Sequence, residues 1–179
     1  MDIESTPLKD CYLIYNQLHG DHRGFFMEAF NQPKFQHLGL TFQLQQINVA
    51  KSKKKVFRGL HFQLAPFAQT KIVFALTGSV IDLVVDLRKN SSTYLQHFSV
   101  QLDTPDKALW IPKGFAHGYM TLEDDTIFQY AVDAPYHASS ERSLRVDDPM
   151  LQISTRFPDA LISPKDLNAP SFQEIEHEL

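Results

Sequence analysis

Arg58-Gly59-Leu60-His61-Phe62-Gln63 sets a guanidinium, an imidazole and an amide into an otherwise aromatic and aliphatic run. An imidazole titrates near neutrality, so His61 is a natural candidate for a base. On a strand, Arg58, Leu60 and Phe62 would share one face, and Gly59, His61 and Gln63 the other. Lys71 heads the next apolar run, where burial normally excludes an ammonium. A second cluster, Trp110-Ile111-Pro112-Lys113-Gly114-Phe115-Ala116-His117-Gly118, has the proline and glycines of a tight turn. That turn would deliver His117 into the start of a strand. Taken singly, each of these residues has an ordinary structural reading: a satisfied histidine, or a strand connection whose histidine is incidental. His61 and His117, with Gln63 as a poor third ligand, fall short of the converging donors that a metal needs.

These residues sit among short apolar runs. Val56–Gln63, Lys71–Thr77, Val80–Leu87, Phe98–Leu102, Ala108–Ile111, Gly118–Leu122 and Thr126–Val132 read as strands. Polar turns separate them, among them Thr77-Gly78-Ser79 and Glu123-Asp124-Asp125. The pattern is that of an antiparallel sandwich or barrel, with no helix long enough for a βαβ crossover. In the run from Val80, Ile81, Leu83, Val85 and Leu87 form an apolar face, while Asp82 and Asp86 flank Val84 on the other. A solvated face is the expectation there, and a barrel-lumen face the alternative. Asn31 before Pro33 predicts a short helix reaching Leu38, and Ser171 with Glu174 a capping box before a short terminal helix.

The chain has 179 residues, 43% hydrophobic and 12% aromatic, which predicts one folded domain over residues 1–179 and excludes disorder as the main state. A net charge of -4 argues against a general nucleic-acid partner. The lysine run Lys51, Lys53, Lys54, Lys55 is expected to be a solvated strand edge. Cys11 is the only cysteine, which fits a reducing compartment. MDIESTPLKD carries acids and no apolar run, so no secretory leader is expected. No stretch would span a bilayer, and a cytoplasmic protein with no membrane partner is the expectation.

The spacing Pro112, Gly114, His117 resembles the second motif of the cupin superfamily, while the first motif is degenerate, which favours a metal-free cupin. Longer stretches are more specific: GDHRGFFMEAFN from Gly20, NVAKSKKKVFRGLHFQ from Asn48, AQTKIV, GSVIDLVVDLRKNSSTY, LWIPKGFAHGYMTL and FQYAVDAPYHASSERSLRVDDP. Together they resemble the dTDP-4-dehydrorhamnose 3,5-epimerase family from about Gly20 to Pro170. The resemblance implies an all-β fold, a cupin-type jelly-roll sandwich or barrel with short peripheral helices. It implies a homodimer whose N-terminal strands are exchanged, and no cofactor.

The resemblance further implies inversion of carbons beside the C4 ketone of a dTDP-linked 4-keto-6-deoxy sugar. By that resemblance His61 is the proton acceptor, Asp166 the carboxylate orienting it and Tyr130 the proton donor. Lys71 and His117 line the sugar site, with the Lys71 ammonium toward the enolate oxygen. Arg58 and Arg23 match diphosphate contacts, assisted by Lys165. Glu28, Gln46, Asn48 and Glu141 match other substrate contacts, and Phe26 and Tyr136 are candidates for stacking on the base. Arg23 and Phe26 belong to a region that reaches across the dimer in this family. Departures are Thr70 before Lys71, where glycine is common, Ile47 where a carboxylate often sits, and Arg156-Phe157-Pro158 where Trp-Pro is common. None touches the acid or base, but they leave open whether C3 and C5 or C3 alone is inverted. A 3,4-ketoisomerase and a non-catalytic sugar-nucleotide-binding cupin remain as alternatives.

Overall fold

The computed structural model describes residues 1–153 and 159–179, so the Arg156-Phe157-Pro158 departure lies outside the described residues. Two antiparallel sheets face each other. The first runs in the order β1 (Asp2–Ser5), β2 (Tyr12–Tyr15), β10 (Lys107–Ile111), β7 (Lys71–Thr77), β12 (Thr126–Val132) and β5 (Gln46–Ser52). The second runs β13 (Glu141–Ser143), β6 (Val56–Gln63), β11 (Phe115–Thr121), β8 (Val80–Asp86) and β9 (His97–Leu102), with β14 (Leu161–Ile162) parallel to β6. A separate hairpin joins β3 (Leu18–Asp21) to β4 (Gly24–Met27).

The sandwich is filled by Leu13, Val73, Leu109 and Phe128 from the first sheet and Val80, Val84, Phe115 and Tyr119 from the second. Burying each such side chain stabilises the fold by about 1.5–3 kcal/mol. Each sheet is also covered on its outer face. Ile72, Phe74 and Trp110 of the first pack on Phe35, Leu40 and Phe42, brought by α1 (Gln32–His37) and the segment after it. Leu60, Phe62, Leu83 and Val85 of the second pack on Phe172 and Ile175 of α3 (Phe172–Ile175). Asn31 Oδ1 caps α1 by accepting from the Lys34 N–H, and the Ser171 N–H donates to Glu174 Oε2 at 2.7 Å ahead of α3. No helix among the described residues is long and apolar enough to cross a membrane.

Three local expectations are corrected. The Asp82–Asp86 face is not solvated: both carboxylates are fully buried, because β8 is paired on both edges and covered on both faces. A buried carboxylate needs partners. Asp86 accepts from Arg88 Nε and Nη2, Ser91 Oγ and Thr93 Oγ1, and Asp82 accepts from His117.

Second, strict alternation fails in β6. His61 lies opposite His117 while Arg58 lies opposite Tyr119, so β6 holds one residue more than β11 across this interval. That bulge puts Arg58 on the face of His61, leaving Leu60 and Phe62 to the outer core. Gly59 sits there with φ +136, and a Cβ on it would stand 2.5 Å from the Gly118 Cα, so only glycine fits.

Third, β11 begins at Phe115, which sets His117 inside the strand rather than at its mouth. The lysine run lies as expected, Lys51 on edge strand β5 pairing with Asp125 at 2.7 Å with both side chains mostly exposed.

Candidate active site

Where the inner core stops, the sandwich opens into a cavity of about 610 Å³. The two sheets supply opposite walls. From the first come Gln46 and Asn48 on β5, Tyr130 on β12 and Lys71 at the head of β7. From the second come Arg58 and His61 on β6, His117 and Tyr119 on β11 and Glu141 on β13. Ser163, Lys165 and Asp166 close one side from α2 (Pro164–Leu167) and its cap.

His61 is the hub. Its Nε2 lies 2.8 Å from Asp166 Oδ1. A carboxylate only accepts, so that contact requires the proton on Nε2 and leaves the Nδ1 lone pair free. Asp166 is held in turn: it is buried, its N–H donates to Ser163 Oγ at 3.1 Å, and its Oδ2 faces the Gly59 N–H at 3.4 Å. Ser163, not Asp166, therefore caps α2, and the Asp166 carboxylate is free for the imidazole. Burial pulls the His61 pKa below the ordinary histidine value, with Asp166 pulling it back up and Lys71 and Lys165 adding to the depression. The ring is thus neutral near pH 7.

Lys71 is buried, and among the described residues its Nζ donates only to the His61 carbonyl, at 3.3 Å. Desolvation lowers its pKa to about 8, against the opposing fields of Asp82 and Glu141. Tyr130, opposite Asn48 and Val73 in register, is pushed above the ordinary phenol value by burial, so it holds its proton. His117 Nε2 meets the buried Asp82 Oδ2 at 2.8 Å. Asp82 is a residue the sequence reading missed. The signal was there in its alternation with Val84, but a local pattern does not say which face meets a second sheet.

Around the rim, Gln46 Nε2 donates to Asn48 Oδ1 at 2.7 Å, and Gln46 Oε1 accepts from the Tyr136 N–H at 3.0 Å. Glu141 Oε2 accepts from both Tyr136, at 3.1 Å, and Lys165, at 2.7 Å, so Lys165 is committed to Glu141. Gln63 ties rim loops together: its amide donates to the Phe67 and Pro135 carbonyls and accepts from the His137 N–H. Thr70 is buried with its N–H on Asp133 Oδ1, and Ile47 is half exposed.

Three expected contacts are not brought to this cavity by the same chain. Arg23 and Phe26 line a separate depression of about 250 Å³ on the β3–β4 hairpin, where Arg23 pairs with Asp21. Glu28 pairs with Lys34 at 2.7 Å. The reason is topological: the hairpin pairs with neither sheet. Among the described residues, no group of three or more His, Cys, Asp or Glu side chains is arranged to hold a metal ion.

Such a cavity can lift a proton from one face of a ligand and supply one from the other. Known proteins resemble the chain as a whole. The sequence profile of the dTDP-4-dehydrorhamnose 3,5-epimerase family matches residues 5–174. The enzyme of that name from Shigella flexneri is 38% identical over 179 residues, 99% of each chain. The dTDP-6-deoxy-D-glucose-3,5-epimerase of Legionella pneumophila, solved in complex with dTDP-4-keto-L-rhamnose, superposes with a TM-score of 0.93 at 37% identity, over 99% of this chain and 95% of that one. A 3'-monoepimerase of Streptomyces bikiniensis, in complex with dTDP-quinovose, gives 0.87 at 30%, over 96% and 88%.

Proposed function

Because the chain belongs to the dTDP-4-dehydrorhamnose 3,5-epimerase family, it is a sugar-nucleotide epimerase, and we propose that His61 and Tyr130 are its base and its acid. The substrate of this reading is a dTDP-linked 4-keto-6-deoxy sugar. One observation carries it: the His61 imidazole on β6 and the Tyr130 phenol on β12 line the same cavity from facing sheets.

In the proposed step His61 Nδ1 takes the proton from the carbon beside the ketone. The C–H electron pair moves into the ring as an enolate, whose charge rests on the C4 oxygen. Asp166 stabilises the imidazolium through Nε2, as an orienting carboxylate does in other His–Asp pairs. Lys71, in its ammonium form, faces the enolate oxygen, where a dry site strengthens the attraction. Tyr130 then protonates the carbon from the opposite face, and both groups are reset by exchange with solvent. Arg58 supplies positive charge toward the diphosphate, and His117, Gln46, Asn48, Tyr136 and Glu141 shape the remaining walls.

The reading extends to a homodimer. Phe25 is 59% exposed and Phe26 69%, on a hairpin that pairs with neither sheet, and edge strand β5 exposes Ile47 and Val49. A second copy covering these surfaces would bring Arg23 and Phe26 to its neighbour's cavity, with Glu28 alongside. A cytoplasmic location goes with the reading, supported by a single buried cysteine that leaves no intrachain disulfide to keep oxidised.

The test is incubation with the thymidine-linked ketosugar in deuterated water, read by NMR. Deuterium at C3 with inversion is expected, and deuterium at C5 distinguishes double from single epimerisation. His61→Ala should lower exchange by about 10²–10⁴-fold, and exchange at the wild-type rate in that variant would refute the base. Tyr130→Phe should exchange but accumulate little inverted product. A 3-keto product would identify a ketoisomerase, and binding without exchange a non-catalytic cupin.

A further inference from the structure

The phenol of Tyr119 is a polar group of this cavity that the mechanism does not use. Its side chain is 4% exposed and lines the cavity, and its hydroxyl has no hydrogen-bond partner among the described residues. Ser52 is a polar neighbour whose Oγ accepts from Arg58 Nε and Nη2 at 3.2 Å each and does not meet hydrogen-bond geometry with the Tyr119 hydroxyl. A phenylalanine would fill the same volume without the destabilising burial of an unpaired hydroxyl. The ring itself is well held, stacked on Phe128 at 4.1 Å between centroids.

Its position is specific. Tyr119 lies opposite Arg58 on one side and Asp82 on the other. It shares a face with His117, the two ring centroids being 6.3 Å apart, and His117 in turn lies opposite His61. His61, His117 and Tyr119 all line the one cavity, so a sugar ring seated against His61 shares that space with Tyr119. Such a hydroxyl, buried and held by its packed ring, favours ligands that complete its hydrogen bonds and discriminates against those that leave it empty.

We propose that Tyr119 is a substrate-contacting, specificity-determining residue whose hydroxyl is satisfied by an oxygen of the bound sugar ring. The proposal rests on the sugar lying at His61, but not on which residue is base or acid. It is tested by titration calorimetry on the His61→Ala protein, with and without the added change Tyr119→Phe, with NMR of the recovered ligand checking that the ketosugar is unchanged during the titration. Two ligands are used, the thymidine-linked 4-keto-6-deoxy sugar and dTDP alone.

The phenylalanine variant should bind the ketosugar nucleotide about ten- to a hundredfold more weakly, as loss of one buried hydrogen bond predicts, and bind dTDP as before. Its urea midpoint should be equal or higher, since an unpaired hydroxyl has been removed without changing volume. Unchanged ketosugar affinity would overturn the proposal and make the hydroxyl structural. Parallel weakening of dTDP would also overturn it, by assigning the hydroxyl to the diphosphate. Neither result touches the roles of His61 and Tyr130, which the deuterium experiment reads separately.

Discussion

His61 is tuned by opposing influences, and their balance predicts the pH behaviour. Burial lowers its pKa further than Asp166 raises it, so the base is neutral, and working, down to below the ordinary histidine range. The acid limb of kcat/KM should therefore have its midpoint below about 6.5. Asp166→Asn removes a group that favours the imidazolium, so that limb should move to still lower pH while the rate falls by about 10²-fold or more. A limb that moved upward would contradict the assignment. Lys71 sets the other side. Its ammonium is lost as pH rises through about 8, so activity should decline there. Lys71→Gln should remove that limb and lower kcat by about 10²–10³-fold. A Lys71→Gln enzyme with the wild-type alkaline limb would show that another group titrates.

At the scale of the elements, the β6 bulge decides the site. Arg58 and His61 are three positions apart, and a regular strand would send them to opposite faces. The extra residue brings both to the cavity, and it exists because Gly59 and Gly118 let the two strands approach closely. Gly59→Ala should destabilise the protein by about 1–3 kcal/mol from its backbone conformation alone, with the steric conflict at Gly118 added. Urea denaturation measures this, and an unchanged midpoint would mean that the strands part easily. Strands β6, β7 and β12 are legible in the sequence because alternation and polar turns are local signals. The bulge is not, because it depends on what a neighbouring strand, distant in the chain, places beside Gly59. The seating of Asp82 and Tyr119 in the interior was hidden for the same reason.

For the whole molecule, the question is whether one chain makes a complete site. Arg23 lies outside the cavity of its own chain, on an exposed hairpin. If a second copy receives it, His61→Ala and Arg23→Ala proteins, each poorly active, should recover activity when mixed and allowed to exchange subunits. One site in each mixed dimer would then hold both native residues. Sedimentation should show the dimer, and mixing without recovery would confine each site to a single chain.

The sequence by itself determined the antiparallel strand pattern, the family, and the residue types a proton-transfer site needs, since strand alternation, turn chemistry and long ordered motifs are written along the chain. Only the tertiary structure decided which of those residues meet. It set His61 on Asp166 across 105 positions of chain, buried Asp82 against His117, and left Arg23 apart. Packing between sheets, strand register and the bulge are properties of long-range contact, and no local run of residues carries them.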